Sequence, residues 1–247
     1  MKILGIITAR GGSKRLPGKN IKNFLGKPLL TWTVEVGKEA NVFDRFILTT
    51  DDKEIAEVGR KSGIEVPFMR PAELAKDKSS SYDAVKHAVE WLRDNDKYEA
   101  DWIILLESTS PGRETSHIRE VAHLISENPD FDSLLGISET PGHFSYAKQQ
   151  DVDQKGIMTR VGDGEILRNL AQRNQDLPKS YYTNSAIYAF KVSNIFDGNK
   201  SLWGDKTYGY IMDVKYSLDI DDFGDWLLAE VKMKMLLEEK MAKRLLN

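Results

Sequence analysis

No cysteine occurs among the 247 residues, which excludes disulfides, thiolate metal sites and thiol nucleophiles and fits a reducing compartment. Long hydrophobic runs are also missing: no stretch approaches the ~20 apolar residues of a membrane span. The apolar start, Ile3 to Ile7, is shorter than a signal-peptide core and runs into Arg10. A soluble, unexported, cytoplasmic protein with no membrane contact is the expectation. Nor does one sign of charge dominate. Thirty-five Lys and Arg stand against 38 Asp and Glu, and the net charge of −3 gives the surface as a whole no reason to bind nucleic acid. Internal repeats and low-complexity segments are absent. With 40% hydrophobic and 30% charged residues the composition is ordinary for a globular chain, and its length suits one principal domain spanning 1–247.

What is present is an alternation. Short aliphatic runs at 3–8, 45–50, 64–69, 101–106 and 133–138 read as strands, and segments with helical spacing follow at 28–39, 52–63, 81–95 and 116–128. Gly63 reads as a helix stop, and Asp51 or Asp52 and Ser116 as helix starts. The pattern predicts an α/β fold with a doubly wound, mainly parallel sheet. Beyond Thr140 the rhythm changes. Residues 139–180 carry turn signals at Pro141-Gly142, Lys155-Gly156 and Gly162-Asp163-Gly164 and too few apolar residues for a core of their own. They read as an inserted hairpin-and-loop excursion that packs against a second subunit. Runs at 185–190, 210–214 and 217–220 read as returning strands, and a long helix of mixed face begins near Asp222. Trp203 and the Met233, Met235 stripe are candidates for assembly.

The first loop carries the chemistry. The stretch GIITARGGSKRLPGKN (5–20) takes a buried strand into two glycines and four cations, Arg10, Lys14, Arg15 and Lys19. In an open parallel sheet the loop after the first strand is the usual phosphate site, and Gly11 and Gly12 permit close backbone approach. Neither GxxxxGK[ST] nor GxGxxG is present, since Leu16-Pro17 stands where those motifs open a helix. A longer, proline-stiffened loop wrapping a triphosphate is the reading, against a merely solvated basic turn. Far downstream, Asp219 and Asp221 are spaced i, i+2 and face one way if the segment is extended, as a magnesium site needs. The competing reading makes Asp221 or Asp222 a helix cap.

ARGGSKRLPGKN resembles the nucleotide-binding motif of the cytidylyltransferases that activate sialic acid and related nonulosonic acids with CTP. The Lys19-Asn20 ending separates it from the RxGSTRLPGKPL of the enzymes for the eight-carbon acid Kdo. Further stretches resemble the same family in the same order: TTDD (49–52), RPAELAKDKSSS (70–81), LLESTSPGR (105–113), RNQDLP (173–178), TNSAIY (183–188) and SLDIDD (217–222). The resemblance implies a Rossmann-like nucleotidyltransferase that transfers CMP from CTP to the anomeric hydroxyl of a nonulosonic acid and releases pyrophosphate, with Mg2+, as a homodimer. It implies that Arg10, Ser13, Lys14, Lys19, Asn20, Arg70, Ser80 and Ser81 bind CTP. Arg10, Lys19, Asp219 and Asp221 would be catalytic, the two aspartates as metal ligands. The acid would meet Glu107, Thr109, Ser110, Arg173, Gln175, Asn184 and Tyr188, with Lys148 a further candidate. The alternatives are transfer to another sugar acid such as Kdo, or a catalytically silent nucleotide-binding relative. No general base is evident; His87, His117 and His123 read as structural, and His143 lies in the excursion. Two residues depart from the family pattern: Glu107 stands for its glutamine and Ser185 for its glycine. A glutamate only accepts hydrogen bonds, so Glu107 is expected to favour an acid other than N-acetylneuraminic acid, one with a free amine or altered hydroxyls.

Overall fold

The computed structural model describes residues 1–76, 79–165, 173 and 176–246. β1 (Ile3–Thr8) leads through the basic loop and a small hairpin, β2 (Asn23–Phe24) with β3 (Lys27–Pro28), into α1 (Leu29–Ala40). β4 (Arg45–Thr49) and α2 (Lys53–Ser62) follow, then α3 (Ser81–Asp96), β5 (Trp102–Glu107), α4 (Thr115–Glu127) and β6 (Ser133–Glu139). The excursion contributes β7 (Gln150–Val152) and β8 (Met158–Arg160). The chain returns in β9 (Tyr181–Lys191), a single turn of helix α5 (Ser193–Phe196), β10 (Thr207–Ile211) and the terminal α6 (Phe223–Leu246).

Six strands form the main sheet in the order β10-β6-β9-β5-β1-β4. β1 is parallel to β4 and β5, and β10 to β6, whereas β9 runs antiparallel between β5 and β6. Because β1 is covered on both faces, it reads as a continuous apolar run rather than an alternation. Ile3 and Ile7 face a core closed by α1, α2 and α4. Leu4 and Ile6 face the opposite core, closed by Val85, Ala88 and Leu92 of α3. The doubly wound, mainly parallel expectation therefore holds.

Local signals explain the boundaries. Asp52 caps α2 through the amides of Glu54 and Ile55 at 2.8 and 3.0 Å, and Gly63 ends that helix at φ 82°. α4 starts at Thr115 instead of Ser116, because His117 Nδ1 accepts the Glu114 amide at 3.1 Å and closes the first turn. Residues 64–69 form no strand. Only Glu65 bridges to Ile47, and Pro67 lacks the N–H needed to extend the ladder. The strand read at 210–214 lies at Thr207–Ile211, and 217–220 belongs to no strand.

A third core lies outside the sheet. α6 presents Trp226, Ala229, Met233 and Leu236, a stripe at helical spacing, to Leu16, Phe24, Leu29, Leu218 and Ile220. The Phe24 and Trp226 rings meet edge to face at 5.1 Å. Met233 is thus an intramolecular core residue and Trp203 packs on Tyr188 and Phe190, while Met235 is exposed. Along 218–221 the pleat alternates: Leu218 and Ile220 are buried while Asp219 and Asp221 are exposed. Ile220→Ala is expected to cost ~2–5 kcal/mol, read from urea unfolding, since it empties a fully buried site in this core.

Candidate active site

A cleft of about 400 Å³ opens at the carboxyl ends of β1 and β5. In the register of the sheet Thr8 ends β1 directly opposite Glu107, which ends β5. Beyond Thr8 the basic loop leaves the sheet, and several contacts hold it. Gly11 donates its amide to Asp51 Oδ1 at 3.2 Å and passes so close to Asp52 that a Cβ there would stand 2.5 Å from Oδ2. Asn20 is buried with both ends of its amide engaged: Nδ2 donates to the Arg10 carbonyl at 3.2 Å, and Oδ1 accepts from Ser108 Oγ at 2.7 Å. Lys19 is 9% exposed, and its Nζ donates to the Ile220 carbonyl at 2.5 Å and reaches Asp221 Oδ1 at 3.4 Å. Arg15 reaches the other Asp221 oxygen at 3.1 Å. The basic loop and the carboxylate pair are thereby joined across some 200 residues of sequence (separation 201).

Arg10, Ser13, Lys14, Lys19, Asn20, Arg70, Ser80, Ser81, Glu107, Thr109, Tyr188, Asp219 and Asp221 all line this one cleft, as the sequence predicts. Their side chains differ in what is left to offer. Ser80 is the N-cap of α3, its Oγ accepting the Asp83 amide at 3.2 Å in a reciprocal capping box. Buried Arg70 donates through Nη2 to the Ala9 carbonyl and Asp51, each at 3.4 Å, while its Nε has no partner. Burial lowers its pKa against the pull of Asp51. Thr109 donates to Asp219 Oδ1 at 3.0 Å. Asp222 takes the capping role at α6, accepting the Asp225 amide at 3.0 Å and donating its own to Asp225 Oδ2 at 3.1 Å. Asp219 and Asp221 are therefore not needed as that cap.

Other predicted residues lie apart from the cleft. Ser110 is buried beneath it and donates to the Ser185 carbonyl at 3.0 Å. Asn184 is buried too: Nδ2 reaches Ser138 Oγ and Oδ1 accepts the Ala186 amide, both at 3.1 Å, so its amide shapes β9 and does not line the cleft. Arg173 is exposed and pairs with Asp176 at 2.6 Å away from the cleft. Gln175 lies outside the described residues, and Lys148 is in the excursion. The histidines also stay out. His117 serves the α4 cap, His87 packs edge-on against Phe68 at 4.9 Å, and His143 lies beside Phe144.

Two contributors carried no role in the sequence reading. Arg113, 1% exposed, donates through Nε to the Ala186 carbonyl and through Nη2 to the Glu107 carbonyl at 2.8 Å; Nη1 has no partner. It rivets β5 to β9 beneath the cleft, and burial pushes its pKa down to about 9. Ser185 adopts φ 56°, the left-handed region that favours glycine, at the register shift where β9 crosses β6. The motif comparison had marked this position. Only the backbone shows that its oddity is conformational.

Glu107 is the most perturbed carboxylate of the cleft. Burial, then the charge of Asp219, raises its pKa to about 7, against the weaker opposing pulls of Arg113, Thr8 and Lys19. Among the described residues its side chain accepts one hydrogen bond, from the Thr8 hydroxyl at 3.4 Å.

Comparison with known proteins bears on the family and the fold. The family model described as Cytidylyltransferase matches residues 4–210. An N-acylneuraminate cytidylyltransferase of Streptococcus agalactiae is 33% identical over 236 residues, covering 92% of this chain and 52% of the relative. A pseudaminic acid cytidylyltransferase of Campylobacter jejuni is 29% identical, covering 95% and 97%. A CMP-N,N'-diacetyllegionaminic acid synthase of Legionella pneumophila is 30% identical with the same shares. The chain thus spans about half the length of the N-acylneuraminate relatives and nearly all of the other two. Among solved structures, a CMP:2-keto-3-deoxy-manno-octonic acid synthetase complexed with CTP superposes with a TM-score of 0.68 at 17% identity, covering 96% of this chain and 100% of that one. A 4-diphosphocytidyl-2C-methyl-D-erythritol synthase of Anaerococcus prevotii gives 0.62 at 11%, covering 94% and 96%. At those identities the likeness shows the fold.

The raised Glu107 pKa makes a signed prediction. Folded Glu107 holds a proton that an ordinary glutamate, at 4.5, would release, so its unfavourable contribution grows from about pH 4.5 to 7 and is complete above 7. Glu107→Gln removes that cost. In metal-free buffer the difference in unfolding free energy, variant minus wild type, should be more positive at pH 8 than at pH 5 by on the order of 2 kcal/mol.

Proposed function

The chain belongs to the cytidylyltransferase family, and we propose that it transfers the cytidylyl group of CTP to the anomeric hydroxyl of a nonulosonic acid, releasing pyrophosphate, for glycan biosynthesis in the cytoplasm. The observation that carries this reading is the meeting of the cationic loop with Asp219 and Asp221 in one cleft, through Lys19 and the Ile220 carbonyl. The acid hydroxyl oxygen forms a bond to the α-phosphorus while the bond from that phosphorus to the β-phosphate oxygen breaks, and the hydroxyl proton passes to water or to a carboxylate of the cleft. Such a transfer needs positioning and charge neutralisation more than covalent help. Arg10, Lys14 and Arg70 supply positive charge for a triphosphate of about four negative charges, with Gly11 and Gly12 keeping the backbone within reach. Lys19, held in place before substrate arrives, stabilises charge at the transferring phosphoryl group.

A divalent cation fits Asp219 and Asp221. Both are hard oxygen donors on the exposed side of segment 218–221, and no third acidic or imidazole side chain joins them among the described residues. Magnesium commonly takes one or two carboxylates and completes its shell with water and substrate phosphates. When bound, the ion would neutralise phosphate charge. Arg15 and Lys19, which now contact Asp221, would share that carboxylate with it.

The Kdo alternative is not favoured, because the relatives at 29–33% identity are named for N-acylneuraminate, pseudaminic and legionaminic acids and the Kdo synthetase resembles this chain in fold alone. A silent relative is disfavoured by the full set of charged groups in the cleft. We further propose a homodimer in which the excursion, with Phe144, Val152 and Ile157 all more than 60% exposed, is covered by a second copy and brings Arg173 to that copy's cleft. Sedimentation equilibrium should then give twice 28.0 kDa.

The decisive assay is pyrophosphate release on mixing the protein with CTP, Mg2+ and a panel of nonulosonic acids. Lys19→Met should lower kcat/KM by ~10²–10³-fold while the far-UV circular dichroism stays unchanged. No release from wild type with any acid would sink the proposed reaction.

A further inference from the structure

The two sides of the cleft are chemically opposite. The loop after β1, with Arg70, brings cations, whereas the ends of β5 and β9 bring Glu107, Thr109, Ser185 and Tyr188, which Asp219 joins. On that second side the charged lining groups are carboxylates. A polyanion is driven to the first side, so the hydroxylated acid has to dock on the second.

Glu107 has acceptor capacity to spare there. An ionised carboxylate offers about four lone-pair sites, and among the described residues only the Thr8 hydroxyl, at 3.4 Å, addresses them. Its backbone carbonyl is occupied by Arg113 Nη2 and, at 3.4 Å, by Thr33 Oγ1, which fixes the strand end from which the side chain projects. Arg113 and Lys19, the cations that pull on it, make their hydrogen bonds elsewhere. Arg113 lies buried and donates to two main-chain carbonyls, and Lys19 holds the Ile220 carbonyl and Asp221. A glutamine at this position could answer either a donor or an acceptor on the substrate; Glu107, once ionised above about pH 7, answers only a donor and repels a carbonyl or carboxylate oxygen.

We propose that Glu107 is a specificity-determining residue that accepts a hydrogen bond from the acid substrate, and that it selects nonulosonic acids presenting an ammonium or hydroxyl there over those presenting an acyl oxygen. The inference rests on the cytidylyltransferase reading above. A substrate ammonium gains most, because it also offsets the adjoining charges of Glu107 and Asp219. A site built to pair with a donor discriminates strongly against an analogue that lacks it, since the buried acceptor is then left unpaired.

The test uses a matched pair of acids identical except that one carries a free amine and the other its N-acetyl derivative. At pH 8, where Glu107 is ionised, wild type should prefer the amine, and Glu107→Gln should move the ratio of the two kcat/KM values toward the acetylated acid by at least about tenfold, with KM for CTP unchanged. Glu107→Asp, which keeps the charge, should retain the preference at lower kcat/KM for both acids. If Glu107 served only as the counterion of Arg113, its replacement would scale both acids alike. A ratio for Glu107→Gln within about twofold of wild type, or a wild type that prefers the acetylated acid, overturns the assignment. Release of pyrophosphate with neither acid nor any other overturns the transfer reaction beneath it, a result separable from an unmoved ratio between two accepted substrates.

Discussion

Everything at the cleft depends on how the Lys19 ammonium is held. A buried cation is costly unless it is hydrogen-bonded and close to opposite charge, and here the Ile220 carbonyl and Asp221 supply both. The carbonyl can be there only because Leu218 and Ile220 are packed against Leu16 and Phe24 under α6. The hydrophobic effect thus sets the position of an electrostatic contact. Segment 218–221 works as a ratchet: its apolar residues engage the third core, and its carboxylates turn outward into the cleft.

The surrounding side chains show how much of the site is set before any substrate enters. Asn20 fastens the loop to Ser108, Thr109 holds Asp219, and Ser110 holds the backbone at Ser185. Arg113 joins the ends of β5 and β9 at the expense of an unpartnered Nη1, and Arg70 likewise keeps an unpartnered Nε. Buried donors without partners are rare in folded proteins because each gives up its hydration. Both here belong to guanidinium groups whose remaining nitrogens fix the frame of the cleft, so the loss is borne where side chains must be held in place.

Legibility in the sequence followed the range of the physics involved. The alternation of strand and helix, the Asp52 cap and the Gly63 stop are local, and the structure reproduces them. The strand read at 64–69 failed because Pro67 and the lack of further pairing outweighed β propensity, a matter of neighbours rather than of composition. The cationic loop and the aspartate pair were legible as motifs, and so was the choice of Asp222 as one possible cap. Asn184 and Ser110 were read as substrate contacts, and the structure shows that their side chains also bond to β6 and β9, which only the register of those strands reveals.

By itself the sequence determined the class of fold and, through ordered motifs, the family. These follow from residue type and short spacing, which the chain carries before it folds. Tertiary structure alone decided that residues 19 and 220 touch, that Arg113 lies under Glu107, and that Ser185 takes a left-handed backbone conformation. Such facts arise from contacts between segments far apart in the chain, where packing in three cores, not local preference, selects one arrangement among many.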